Sequence, residues 1–273
     1  MSASADTHYS CNGRPADPAS LAAALVNYGH FTSLQVRASA VQGLDLHLER
    51  LRHGTQALFG SALDGAQVQD WMMQALDADG RVDASMRVSV FSRHFDFRDP
   101  LAAVPVDVLV AVSAPVELRQ PRAVCSVRYQ RELPALKHAG TFGLFQQRRE
   151  AMAAGFDDAL FLGPDDRVSE GTTWNLALHD GQALVWPQAA ALRGTAEALL
   201  RQHWHGPQDV RPVPAVELDT MQAAFACNAS GVWPLSAIDG RALPGSAALA
   251  EQGRAVLAQV PWQPLHRYCN QIR

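Results

Sequence analysis

The sequence predicts an α+β fold in two parts, a smaller N-terminal part and a larger C-terminal part. The chain has 273 residues, of which 48% are hydrophobic, enough for one large domain or two modest ones with separate cores. Apolar residues recur at helical spacing near residues 44–58, whereas apolar runs typical of strands follow from residue 86. Prolines and polar residues interrupt the pattern near 115–125. We therefore expect a small domain at 1–120 and a large domain at 121–273.

The first half of the chain is predicted to contain two helices and three strands after an extended segment. A stripe of leucines marks the first helix, which Gly60 ends. The stripe consists of Leu44, Leu48, Leu51 and Leu58. We interpret residues 1–20 as a loose arm or an entry strand. The other expected elements are an extended segment at 24–41 with a turn at 37–40, helices at 44–60 and 66–76, and strands at 86–91, 106–112 and 123–127.

The second half is predicted to mix short strands with three helices, and it contains no internal repeat or low-complexity block. Turn-forming residues such as Gly163 and Gly181 separate its apolar runs. The expected elements are a helix at 142–154, a strand at 158–162, a hairpin of 174–178 and 183–186, a helix at 195–200, strands at 210–216 and 232–235, and a final helix at 247–257.

Charge and hydropathy exclude several classes of function. The formal net charge is −4 and 18% of residues are charged. There is no basic patch on the scale that phosphate backbones require, so we expect no nucleic-acid partner. No apolar run reaches the length of a membrane span, and the N-terminus does not resemble a secretory signal. The cysteines lie far apart, which favours free thiols in a reducing cytoplasm and argues against a metal site. They are Cys11, Cys125, Cys227 and Cys269.

Lys137 is the only lysine in the chain. Of the 23 lysines and arginines, one is lysine and the remaining 22 are arginine. An amine can lose its proton when desolvated and then act as a nucleophile or form a Schiff base, whereas a guanidinium stays charged. The retained amine therefore indicates covalent chemistry. The alternative is compositional drift that left one surface lysine.

The chain offers the four kinds of group that pyridoxal 5'-phosphate requires: an amine, a carboxylate for the ring nitrogen, an arginine for the phosphate, and backbone N–H groups at a helix start. Lys137 supplies the amine, and Glu170, in a turn after a strand, supplies the carboxylate. Arg50 borders the leucine stripe, and Gly194-Thr195 opens a helix. Each has a plainer explanation as a solvated, surface or turn residue, and spacing alone does not show that these residues meet.

Several segments occur together in an order that resembles one enzyme family. They are YGHFTS at 28–33, HLERL at 47–51, lysine at 137, AGFDDAL at 154–160, VSEG at 168–171 followed by Asn175, and LRGTA at 192–196. They resemble the class IV (fold type IV) pyridoxal-phosphate enzymes, which include branched-chain aminotransferases, D-amino-acid aminotransferases and aminodeoxychorismate lyases. The resemblance covers residues 27–240. It implies a two-domain D-amino-acid aminotransferase-like fold, with the cofactor in the cleft between the domains, and a homodimer.

The resemblance also implies roles for particular residues. Lys137 falls where the family has its Schiff-base lysine, Arg50 where an arginine holds the phosphate, and Glu170 where a glutamate pairs with the pyridine nitrogen. Gly194 and Thr195 fall at the phosphate-binding helix start. Further cofactor candidates are Thr172, Thr173, Asn228 and Ala229, and substrate candidates are His30, Thr32 and Phe142. The threonines at 172 and 173 have an equal alternative as turn caps.

The chain departs from the family pattern at three places. Gly29-His30 replaces a glycine-aspartate-glycine stretch, Phe142 stands where aminotransferases often have a tyrosine, and Ala196 stands where a threonine commonly helps to bind the phosphate. These differences affect the expected substrate more than the expected cofactor. His30 and His138 are acid–base candidates with a structural alternative. Three arginines are candidate carboxylate clamps, with a charged strand face as the alternative; they are Arg93, Arg98 and Arg128.

Two reactions remain open, and in both the free amine of Lys137 moves the Cα proton of the substrate. Lys137-His138 and the segment CNASGVWP at 227–234 look more like the lyase branch, which converts 4-amino-4-deoxychorismate to 4-aminobenzoate and pyruvate. We expect an aminotransferase acting on a small amino acid, with the lyase as the alternative. A second alternative is a cofactor-free relative that serves as a scaffold.

Overall fold

The structure is a computed structural model that describes residues 7–266. Within this range the chain packs as two compact units. Unit 1 contains residues 7–116, 136–140 and 261–266, and unit 2 contains residues 117–135 and 141–260. The segment 136–140 therefore returns to unit 1 between two stretches of unit 2, so Lys137 lies in unit 1. The domain bounds of 1–120 and 121–273 stay a prediction.

Unit 1 consists of an antiparallel sheet and three helices among the residues described. The elements are β1 His8–Cys11, β2 Arg14–Pro15, α1 Pro18–Ala24, β3 His30–Arg37, β4 Ala40–Gln42, α2 Leu44–Phe59, α3 Gly65–Asp79, β5 Ala84–Phe91, β6 Asp107–Ser113 and β16 Trp262–Pro264. The strand order is β16-β4-β3-β5-β6-β1-β2. β3 and β5 pair from His30 opposite Val90 at one end to Val36 opposite Ala84 at the other.

The core of unit 1 lies between this sheet and the helices α2 and α3. The four leucines of the predicted stripe on α2 are all buried in it, which confirms the helical period found in the sequence. Gly60 ends α2 with φ 63°, a left-handed conformation that glycine adopts without steric cost. The side chain of Asp64 caps α3 by accepting hydrogen bonds from the N–H groups of Ala66 and Gln67.

Unit 2 contains a larger mixed sheet with helices packed against it. The elements are β7 Arg122–Arg128, α4 Phe142–Ala153, β8 Asp158–Leu162, β9 Val168–Gly171, β10 Asn175–His179, β11 Leu184–Pro187, α5 Thr195–His203, β12 Gln208–Arg211, a 3-10 helix at Ala215–Thr220, β13 Ala223–Asn228, β14 Gly231–Ile238, β15 Arg241–Ala242 and α6 Ser246–Gln259. The order is β12-β11-β10-β13-β14-β7-β8-β9, and β15 pairs with β14.

The structure corrects two predicted elements and adds several short ones. The segment 24–41 is not continuously extended, because its first residue closes α1 and β3 begins only at His30. The strand expected at 210–216 ends at Arg211. Pro212 and Pro214 follow it and have no N–H group to continue a strand ladder. The strands β15 and β16 were not predicted, because two or three residues carry too little periodicity, whereas β1 and β2 lie in the segment 1–20, for which an entry strand was one of two alternatives.

Among residues 7–266, no helix is both long enough and apolar enough to cross a bilayer. Within the same range, no group of three or more His, Cys, Asp or Glu side chains is arranged to hold a metal ion. Cys11, Cys125 and Cys227 carry free thiols. Cys269, the fourth predicted free thiol, lies outside the described residues.

Candidate functional site

Backbone hydrogen bonds fix Lys137 beside the first residues of β3. The N–H of Phe31 donates to the carbonyl of Lys137 at 2.9 Å, and the N–H of Ala139 donates to the carbonyl of Gly29 at 2.8 Å. The ammonium nitrogen lies 5.0 Å from the centre of the Phe31 ring, within the range of a cation–π contact. The amine is therefore attached to the sheet of unit 1 at a defined place.

Lys137 and Arg50 both lie close enough to His47 in unit 1 for their charges to affect its pKa. Its imidazole is buried, and Nδ1 shares a 2.6 Å hydrogen bond with the hydroxyl of Thr32. Burial, with a smaller contribution from the positive charges of Arg50 and Lys137, lowers the pKa of His47 to about 3. The ring is therefore neutral at ordinary pH. Arg50 lies one helical turn after His47 on α2.

His30 and Thr32, both substrate candidates from the sequence, lie in the interior of unit 1. His30 is 2% exposed, and its Nε2 shares a 3.0 Å hydrogen bond with the hydroxyl of Thr55. The ring packs against Gly54, where a Cβ would come within 2.6 Å of Nδ1. Burial lowers the pKa of His30 to about 4. The fully buried Thr32 is held by His47. These contacts favour structural roles for both residues.

A pocket of about 460 Å³ opens in unit 1 beside β3 and β5. Most of its lining is apolar, and one strong cation, Arg87, contributes to it. The other side chains that shape it include Leu21, Leu25, Tyr28, Phe31 and Phe91. An apolar pocket with a single charged group is a common design for binding a small organic acid.

Arg87 has no carboxylate partner among residues 7–266. Its guanidinium carbon lies 3.5 Å from the centre of the Phe31 ring, and its Nε donates to the hydroxyl of Ser89 at 3.3 Å. Burial lowers the pKa of Arg87, because desolvation disfavours its charged form. Arg87 was not among the residues predicted from the sequence, although it faces away from the core in the alternating run of β5. An incoming carboxylate would supply the missing counter-charge.

The three arginines proposed as carboxylate clamps each lie within 4 Å of a carboxylate of the protein itself. The pairs are Arg93–Asp107, Arg98–Asp96 and Arg128–Asp166. The first and third are bidentate, with two N–H donors to two carboxylate oxygens. These contacts support the alternative explanation, a charged strand or loop surface.

Glu170 is a buried carboxylate at the end of β9. It is 4% exposed, and its Oε2 accepts a 3.2 Å hydrogen bond from the N–H of Leu192. Arg131 is also 4% exposed: burial lowers its pKa, while the negative charge of Glu170 acts in the opposite direction. Glu170 is thus no solvated turn residue. Arg131 was missed because nothing in the local sequence marks it as buried.

Asp158 fixes the turn that follows Glu170. Thr172 donates its hydroxyl to one carboxylate oxygen at 2.6 Å, and the indole N–H of Trp174 donates to the other at 3.0 Å. Arg122 adds a 3.1 Å ion pair. Asp158 and Thr172 are both fully buried. Of the two roles that the sequence allowed for the Thr172 hydroxyl, these contacts favour the one within the turn.

The turn between β13 and β14 contacts the same region of unit 2. The Asn228 amide nitrogen donates to the carbonyl of Thr173 at 3.2 Å, and its oxygen accepts from the N–H of Ser230 at 2.8 Å. Ala229 is half-buried in this turn. The predicted cofactor residues at 173, 228 and 229 are therefore neighbours, joined through backbone groups.

The start of α5 has the character of an anion site. Gly194 is its N-cap, and no side chain of the described residues caps the first turn. Free N–H groups and the helix dipole both favour a negative ligand at such a start. Thr195 is buried there. The acid of the first turn, Glu197, pairs with Arg193 at 2.9 Å, so its negative charge is balanced.

Phe142, the third substrate candidate, begins α4 and is 80% exposed in this chain. Phe145 and Met152 on the same helix are also more than half exposed. Leu144 and Ala151 form the buried face, together with β8 residues. The outer surface of α4 is therefore more apolar than expected for a helix facing water.

A model of the amino-transferase class IV family matches residues 29–238. The chain belongs to the class IV aminotransferase family. This match confirms the resemblance found in the sequence motifs. No match is found among curated protein sequences.

Solved structures confirm the α+β, fold type IV architecture of this class IV aminotransferase. The T.th. branched-chain amino acid aminotransferase, in complex with N-(5'-phosphopyridoxyl)-L-glutamate, gives a TM-score of 0.82 at 18% identity, covering 95% of this chain and 98% of that one. A fold IV-transaminase from Curtobacterium pusillum gives 0.74 at 22% identity, with 86% and 87% covered. A Legionella pneumophila protein assigned as a 4-amino-4-deoxychorismate lyase gives 0.75 at 20%, with 86% and 92% covered.

Proposed function

We propose that this class IV aminotransferase binds pyridoxal 5'-phosphate through Lys137 and transfers an amino group between small amino and keto acids. The observation that carries the proposal is the retention of one lysine in an arginine-rich chain, attached by backbone hydrogen bonds to β3. The phosphopyridoxyl ligand of the T.th. relative supports the same cofactor.

The residues present fit this cofactor in their chemistry. Lys137 offers the amine, and Arg50 and the uncapped start of α5 at Gly194 offer donors for a phosphate. Glu170 is a buried acceptor suited to a protonated ring nitrogen. When bound, pyridoxal 5'-phosphate would supply an electron sink that makes the Cα–H bond of an amino acid acidic.

The chain's own groups then handle protons and charge. The Nζ of Lys137 accepts the Cα proton and returns it. Glu170, oriented by the N–H of Leu192, holds a proton on the ring nitrogen. His47 stays neutral, so it adds no further positive charge beside Lys137 and Arg50.

Arg87 indicates that the substrate carries a carboxylate. It lines the pocket of unit 1 beside the Phe31 ring, and within residues 7–266 no acid neutralises it. A charge-assisted bidentate bond to a substrate carboxylate would compensate for its desolvation. The apolar remainder of the pocket suits the carbon skeleton of a small amino acid.

The second candidate function is aminodeoxychorismate lyase. The likeness to the Legionella pneumophila protein favours it, as does Phe142 in place of a tyrosine hydroxyl. Both reactions need the same amine and the same carboxylate, and they differ in whether pyruvate leaves. A third candidate, a cofactor-free scaffold, would leave the sole lysine without a purpose.

We also propose that the protein forms a homodimer. The exposed apolar residues of α4 (Phe142, Phe145 and Met152) form a surface that a second copy of the chain would cover. Sedimentation of the purified protein should give twice the monomer mass. A monomer at micromolar concentration would contradict this part of the proposal.

A single-turnover screen separates the reactions. Protein loaded with cofactor is mixed with one amino donor at a time, and the bound cofactor's visible absorbance and pyruvate release are followed. Conversion of the cofactor to its pyridoxamine form identifies an aminotransferase, whereas pyruvate from 4-amino-4-deoxychorismate identifies the lyase. Protein that never acquires visible absorbance after cofactor is added would support the scaffold.

A further inference from the structure

Two buried side chains hold the backbone of one residue, Leu192. Glu170 accepts the hydrogen bond of its N–H at 3.2 Å, and the amide nitrogen of Asn175 donates to its carbonyl at 2.7 Å. The two side chains are 4% and 5% exposed. Both backbone groups of Leu192 are therefore satisfied by these side chains, away from water.

Asn175 also contacts the residue that caps α5. A Cβ built on Gly194 would lie 2.2 Å from the amide oxygen of Asn175, well inside van der Waals contact. Gly194 thus has no room for a side chain, although its φ of −70° would suit any residue. The single amide of Asn175 determines the path of the chain from Leu192 to the start of α5.

We propose that Asn175 is a positioning residue that sets the anion-binding start of α5 and joins it to Glu170. The inference rests on the proposed function, in which these two features bind opposite ends of the cofactor. An asparagine is suited to this role because it carries one donor for the carbonyl of Leu192 and one acceptor beside Gly194. Aspartate has no donor and would place a negative charge beside the helix start.

The proposal predicts that substitution of Asn175 weakens cofactor binding only when the ligand carries a phosphate group. Asn175→Ala removes the donor and leaves the carbonyl of Leu192 buried without it, so the start of α5 shifts. Affinity for pyridoxal 5'-phosphate should fall at least about tenfold, the usual scale for one lost buried hydrogen bond. Affinity for pyridoxal, which has no phosphate, should change less than about threefold. Asn175→Asp should lower phosphate-dependent binding further, through charge repulsion.

The experiment titrates the apoprotein with pyridoxal 5'-phosphate and with pyridoxal, following tryptophan fluorescence. A second series follows the protection of the apoprotein by inorganic phosphate against thermal unfolding. Asn12→Ala is the matched control, because Asn12 also bonds a backbone N–H and a carboxylate, but in unit 1. This control should leave the ratio of the two affinities unchanged.

A double substitution tests the contact with Gly194 directly. Gly194→Ala should weaken phosphate-dependent binding because its Cβ meets the amide oxygen, and this effect should shrink at least about threefold when Asn175 is already alanine. Additive effects of the two substitutions would overturn this inference and leave the proposed function standing. Equal losses of affinity for pyridoxal 5'-phosphate and pyridoxal in Asn175→Ala would do the same. If the unsubstituted protein binds neither compound, the proposed function fails and this inference fails with it.

Discussion

The two buried histidines of unit 1 should make the protein acid-sensitive. Among residues 7–266, His30 and His47 have no carboxylate partner, and burial lowers their pKa values to about 4 and about 3. In the unfolded chain each would take up a proton near its ordinary pKa of 6.5. The unfolded state therefore binds more protons below pH 6.5, and stability is lost as the pH falls from there toward the folded pKa values.

The magnitude follows from the separation of these pKa values. At pH 5 each histidine is almost fully protonated in the unfolded chain and almost neutral in the folded one. The difference integrates to about 2 kcal/mol per histidine, or about 4 kcal/mol for the pair. That is a large part of the 5–15 kcal/mol that stabilises an ordinary domain.

Urea denaturation of the apoprotein between pH 7.5 and pH 5 measures this loss. The double variant His30→Gln and His47→Asn keeps polar partners for Thr55 and Thr32 but cannot titrate, so its loss over this range should be about 4 kcal/mol smaller. The exposed His205→Gln is the control and should lose stability as the unsubstituted protein does. Parallel pH curves for the double variant and the unsubstituted protein would refute the reasoning.

Three further substitutions test other contacts. Asp158→Ala leaves the buried Thr172 and Trp174 donors without an acceptor and should lower the free energy of unfolding, measured in urea, by about 3–5 kcal/mol. A change below about 1 kcal/mol would contradict a stabilising role for these hydrogen bonds. Gly54→Ala places a Cβ within 2.6 Å of the His30 ring and should cost about 1–3 kcal/mol in the same assay, unlike the exposed Gln56→Ala on the same helix. Arg87→Gln should raise the KM for a carboxylate-bearing donor about 10- to 100-fold; an unchanged KM would remove Arg87 from substrate binding.

Local periodicity predicted most of the fold. The leucine stripe of α2, its end at Gly60 and the strand Asp158–Leu162 were all expected and are all present. Periodicity did not place the segment 136–140 in unit 1, because that assignment depends on backbone pairing with β3, far away in the sequence. The prolines at 212 and 214 are visible in the sequence, and their missing N–H groups explain why β12 ends at Arg211 instead of at 216.

The principal candidate site residue could be recognised from its side-chain type in the sequence, whereas two further arginines could be recognised only from their burial in the structure. Lys137 was conspicuous because its side-chain type is unique in the chain. Arg87 and Arg131 have the same side chain as 20 other arginines, and only the structure shows that they are desolvated. The contact of the His30 ring with Gly54 on α2 depends on the fold, and a histidine near a motif gives no sign of it in the sequence.

The central claim is that Lys137 carries the cofactor, and borohydride reduction tests it most directly. Protein incubated with pyridoxal 5'-phosphate is reduced, digested and mapped by mass spectrometry, with Lys137→Arg as the control. Lys137 is the only lysine, so a phosphopyridoxyl group should appear on its peptide alone and be missing from the variant. An unlabelled Lys137 peptide, with the group only on the terminal amine or nowhere, would contradict the account.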